Sequence, residues 1–117
     1  MITILPADKM FLQSVAAPED AEAMVLRDSD GSVFGHALFR MAGERVELLS
    51  VHTELPVMAE GLIRSVLNAG DCRGATVGFC ADETLAPMLR RLEFEPIEGG
   101  YSVSLEQFFR GDCRCGS

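Results

Sequence analysis

The stretch AMVLRDSDGSVFGHALFRMAGERVELLSV, residues 23–51, consists of apolar runs broken twice by turn-forming clusters. DSDG and MAGE both suit tight turns, where glycine supplies the left-handed backbone. Three strands in a meander are therefore expected. The third, Arg45 to His52, contains the nearly continuous apolar run LLSV. Such a run marks a strand covered on both faces, hence central in its sheet. From Met58 the period changes. Leu62, Ile63, Val66 and Leu67 form an apolar stripe, with Glu60, Arg64 and Asn68 on the other side and Gly70 as a natural stop.

Around this centre the pattern predicts further elements. ITIL near the N-terminus reads as an edge strand, and ADKMFLQSVA as a short helix with Met10, Phe11, Ser14 and Val15 at helical spacing. GATVGFCA reads as another buried strand. Leu85, Met88, Leu89 and Leu92 lie at i, i+3, i+4 and i+7, an amphipathic helix with Arg90 and Arg91 in its last turn. Pro87 requires that helix to start just before it, for example with Thr84 as the cap. FEPIEGGYSVSL then reads as two strands joined at Gly99-Gly100. The order is β, α, three antiparallel strands, α, β, α and a β-hairpin, an α/β (α+β) layer on a mixed sheet.

Composition narrows the function classes. With 117 residues a single domain is expected, here residues 1–109 followed by a cysteine-containing tail, 110–117. The net charge is −8, from 10 basic against 18 acidic residues, and the basic residues form no run. This argues against duplex nucleic acid, whose affinity comes from phosphate neutralisation. An acidic surface attracts cationic partners such as amines and also serves solubility. MITILPADKM carries an apolar run too short for a signal segment, and no stretch approaches the ~20 apolar residues that span a bilayer. A cytoplasmic protein with no membrane partner and mostly reduced cysteines is the expectation. Cys113 and Cys115 make at most half of a tetrahedral zinc site, so no metal is expected. They are left as reactive thiols, as a site completed by another chain, or as part of a free tail.

Order and residues together resemble the GNAT superfamily of N-acetyltransferases. VELLSVHTE looks like that family's central strand, which ends beside the acyl-CoA. GLIRSVLNAGDCRGATVGFC looks like its pyrophosphate helix and the following strand, and DETLAPMLRRLEFEP like its closing helix and Leu-Gly-Phe turn, here with Glu93 where Gly is usual. The resemblance covers Ala23 to Leu105. It implies a mixed, mostly antiparallel sheet with helices on both faces, and acetyl-CoA or CoA bound beside the central strand. The N-terminal helical region is shortened to one helix, and the sheet surface this leaves bare suggests a homodimer.

The departures bear on function. The family's phosphate motif reads Arg or Gln, two residues, Gly, one residue, then Gly or Ala. Here Met58 falls at the basic position, Gly61 at the first Gly and Ile63 at the second; a gap-free alternative places Ala59 and Gly61 at the small positions. In either alignment the basic residue is missing. One lost charge-assisted contact costs about 1.5–3 kcal/mol, while backbone N–H groups and the helix end are independent of side chains. Ile63 is expected to hinder close approach of a phosphate. CoA is thus expected along Met58, Ala59, Glu60, Gly61, Leu62 and Ile63, with its pantetheine along Leu49, Ser50, Val51 and His52.

Amide formation from a thioester needs a neutral amine, an oxyanion donor and an acid for the leaving thiolate. The resemblance makes a backbone N–H near Leu49 to Val51 the oxyanion donor. Its frequent acid, a tyrosine in the closing helix, is replaced by Leu89, which leaves Tyr101, the chain's one tyrosine and in another strand, as the candidate proton donor. Candidate bases are Glu47 on the central strand and His52 at its end; an unperturbed imidazole titrates near neutrality. His36 and Cys80 are expected to be structural. The acceptor amine is not encoded in any motif.

Overall fold

The computed structural model describes residues 2–109. Its elements are β1 (Thr3–Pro6), α1 (Lys9–Ser14), β2 (Glu22–Arg27), β3 (Val33–Ala42), β4 (Arg45–Thr53), α2 (Ala59–Cys72), β5 (Val77–Cys80), α3 (Ala86–Arg91), β6 (Glu95–Ile97), β7 (Gly100–Ser104) and α4 (Leu105–Phe108). They build one seven-stranded sheet in the order β1-β2-β3-β4-β5-β7-β6. The expected order of elements is found, with β1 at an edge and β4 at the centre. Every neighbouring pair is antiparallel except β4–β5.

One face of the sheet packs on α2. Leu62, Ile63, Val66 and Leu67 are fully or almost fully buried against Leu26, Phe39, Val46 and Leu48. Gly70 belongs to this packing and does not end the helix, which runs two residues further. A Cβ at Gly70 would lie 2.6 Å from Val46. The glycine lets helix and central strand approach closely, a role its position in the sequence hides. After Cys72 the chain turns through Gly74, at φ +90°.

The other face is covered only in part. α1, capped by the Asp8 carboxylate accepting from the Phe11 N–H at 2.9 Å, lies over β2 and β3, where Phe11 meets the His36 ring edge-on. Beyond α1 this face bears Arg40, Arg45, Glu47 and Phe79. The Arg45 guanidinium covers the Phe79 ring at 4.3 Å. This part of the face is therefore an ion-paired surface.

Two local details differ from expectation. Asp82, not Thr84, caps the turn Glu83–Leu85 that leads into α3, accepting from the Thr84 N–H and hydroxyl. The short helix α4 is additional; the Ser104 hydroxyl caps it by accepting from the Gln107 N–H. At the end of α3 the Phe94 N–H donates to Leu89 and the Glu93 N–H to Arg90, the paired bonds of a Schellman stop. Glu93 takes up the left-handed conformation of that stop at φ +68°. A non-glycine residue there costs about 1–2 kcal/mol, which accounts for the glycine usual in the resembled family.

Candidate active site

The site arises where β4 and β5 part. Their parallel pairing runs from Arg45↔Val77 to Leu48↔Cys80 and ends there, while β4 stays paired with β3 as far as Thr53. Residues 49–53 thus extend past the last β5 pair, leaving one backbone edge of the central strand without a strand partner. Backbone polar groups on such an edge are free to bind an extended ligand.

A β-bulge sets what faces this opening. Leu38 pairs with Ser50 and Phe39 with Leu48, so Leu49 is an extra residue on β4. Strict alternation would put Ser50 and His52 on the α2 face with Val46 and Leu48. The bulge moves them to the opposite face, together with Glu47, Leu38 and His36. His52 is exposed at this end of β4, directly across from His36, with ring centroids 5.8 Å apart.

Glu47 is buried and committed to two cations. Arg45 donates to Oε1 from Nη2 at 2.8 Å and from Nε at 3.2 Å, and Arg40 Nε donates to Oε2 at 3.4 Å. Three of the carboxylate's lone-pair sites are taken up by the two guanidiniums. Glu47 is therefore better read as the anchor of the polar face than as a base.

Tyr101 is buried on the other face of the sheet, on β7, with β5 between it and β4. Its hydroxyl donates to Glu83 at 2.8 Å. The structure does not bring it together with His52. Cys80, fully buried at the last β4–β5 pair, has its thiol pKa pushed up by burial, which keeps it protonated packing.

His36 lies half-buried under Phe11. Burial, and secondarily the neighbouring His52, push its pKa below the usual 6.5. The unfolded chain then binds more protons than the folded one as the pH falls through 6.5, so folding loses stability on that acid side. A His36→Gln variant is expected to flatten this loss. Urea unfolding between pH 5 and 7.5 checks it, and parallel wild-type and variant profiles would contradict it.

The expected phosphate loop has a distinct shape. Before α2 the chain makes a 3-10 turn, Pro56–Met58. Pro56 has no N–H. The Met58 N–H donates to Leu55, the Ala59 N–H to Pro56, and the Leu55 N–H to the Thr53 hydroxyl at 2.9 Å. Much of the donor capacity of this junction is thus used internally. The Leu62 and Ile63 side chains are fully buried and Ala59 nearly so, which makes these side chains core and leaves any ligand contact to the backbone. Ile63 accordingly does not obstruct the loop. Met58, Glu60 and Gly61 are partly exposed. Glu60, in the first turn of α2, is ion-paired with Arg91 at the end of α3. Sequence reading missed this contact, because nothing local links residues 31 positions apart.

Among the described residues no group of three or more His, Cys, Asp or Glu gathers to hold a metal, and no helix is long and apolar enough to cross a membrane. Cys113 and Cys115 lie outside the described residues.

No family model and no curated protein matches the chain. Solved structures do. SpeG, the spermidine/spermine N-acetyltransferase of Vibrio cholerae, superposes with a TM-score of 0.68 over 94% of this chain and 98% of its own, at 9% identity. YhhK of Escherichia coli, solved bound to coenzyme A, gives 0.63 over 89% and 98%, at 16% identity. Nourseothricin acetyltransferase gives 0.54 over 66% of this chain at 16% identity, and the match spans about half, 51%, of that protein. The chain has the GNAT acyl-CoA N-acyltransferase fold.

Proposed function

We propose that the chain is an acyl-CoA-dependent N-acyltransferase that moves an acetyl group from acetyl-CoA to a primary amine in the cytoplasm. The observation that carries this reading is the β4 edge left open beyond Leu48, which suits an extended pantetheine arm. The thioester carbonyl lies beside Leu49 to Val51, where a backbone N–H stabilises the developing oxyanion. The amine comes from the face bearing Ser50 and His52. His52 takes the proton that the incoming ammonium must lose, directly or through water. The nitrogen attacks the carbonyl, the C–N bond forms and the C–S bond breaks. The thiolate leaves with the sulfur's electron pair, and the proton that the new amide nitrogen must lose reaches it through solvent.

Calorimetric titration with acetyl-CoA and CoA tests the proposal. Saturable binding is expected, with release of free CoA thiol when primary amines are added. No binding at millimolar concentration would sink it.

A second reading is a GNAT-fold binding or regulatory module without catalysis. It is favoured by the internally bonded Pro56–Met58 turn and by Leu89 at the acid's position, buried in the core. Met58→Arg separates the two readings: a large gain in CoA affinity marks a nucleotide site eroded from a working one.

A further inference from the structure

A cation from a distant part of the chain reaches the first turn of α2. Arg91 comes from the last turn of α3, and its guanidinium meets the Glu60 carboxylate in the first turn of α2. The same arginine lines a cavity of about 220 Å³ between α2, α3 and α4. A water claims about 30 Å³ of liquid, so the cavity has room for a group of several heavy atoms. Arg64, one turn beyond Glu60, lines it too, its guanidinium over the Phe108 ring at 5.2 Å. Gln107 adds an amide and Glu93 a carboxylate at the wall.

Two features make this a place for an anion rather than a closed structural pair. Arg91 is 68% exposed on its side chain and Glu60 34%, so the pair is wet and weak, as exposed ion pairs are. Each guanidinium offers a planar fork that matches a phosphate's oxygens two at a time. Glu60 meets Arg91 Nη2 through one oxygen, Oε2, and so already engages part of the fork that a phosphate would take.

We propose that Arg91, supported by Arg64, holds the phosphate groups of CoA in place of the absent loop cation, and that Glu60 is a latch that must release Arg91 before they bind. This rests on the acyl-CoA reading of the β4–β5 opening and extends it. A phosphate carries more negative charge than the carboxylate it displaces, so exchange at Arg91 favours the ligand. The latch then weakens CoA binding by competition, without touching the pantetheine arm.

The test compares CoA with acetyl-pantetheine, which has the thioester arm and no phosphate, on the full chain by calorimetry. Glu60→Gln is expected to tighten CoA by about tenfold, since a charged competitor is removed. Arg91→Gln is expected to weaken it by about tenfold or more, with Arg91→Lys recovering part. The salt dependence of CoA binding should be shallower in Arg91→Gln. Acetyl-pantetheine should bind all forms alike. CoA affinity unchanged in both Glu60→Gln and Arg91→Gln would overturn the latch while leaving the open strand edge intact. If neither compound binds any form, the acyl-CoA reading falls, and the latch with it.

Discussion

His52→Gln is expected to lower the turnover of acetyl transfer by about 10²–10⁴-fold, the usual contribution of a positioned general base. The KM for acetyl-CoA should stay nearly unchanged, because the ring projects from the face proposed for the amine and not along the strand edge proposed for the thioester. A variant that keeps its rate would exclude His52 as the base. Glu47 would not inherit the role, because its carboxylate already bridges Arg40 and Arg45.

Gly35→Ala is expected to destabilise the fold by about 1–3 kcal/mol, the range for overpacking, which lowers Tm by roughly 4–8 °C per kcal/mol in a domain near this size. Gly35 pairs with Thr53 across β3 and β4. A Cβ there would stand 2.7 Å from the His52 carbonyl oxygen and 2.8 Å from the Thr53 Cα. These are backbone atoms, so the two strands must part to make room. The end of β4 that moves is the one bearing His52, so turnover should fall together with stability. Thermal and urea unfolding measure the first effect, and steady-state assay the second. An unaltered Tm would show that β4 yields there without cost. The same glycine thus serves both the sheet and the opening.

Much of the fold was legible because it rests on local regularities. The stripe through Leu62, Ile63, Val66 and Leu67 forms a helix that buries those side chains, as its spacing requires. The LLSV run lies in the central strand, but only Leu48 is buried there and Leu49, Ser50 and Val51 are partly exposed, because the second face of the sheet is covered only in part. The turns at DSDG and MAGE fall between strands, with Gly31 and Gly43 at positive φ. Gly70 was misread, because a glycine near the end of an apolar stripe has the same local signature whether it stops a helix or lets it touch a strand. Thr84 was misread as a cap because its N–H and hydroxyl both donate to Asp82, two residues earlier, which is the cap.

The candidate site was less legible. By itself the sequence determined the order of the elements, the buried stripe of α2, the missing loop cation and the place of His52 at the end of the central strand. All of these depend on residues within a few positions of one another. The tertiary structure alone decided which face His52 occupies, because the bulge at Leu49 shifts the register by one residue within an apolar run that shows no alternation. It alone tied Glu47 between Arg40 and Arg45, and brought Arg91 to Glu60. Register and long-range pairing depend on how separate strands and helices settle against a shared core, and the chain's local pattern carries no record of those distances.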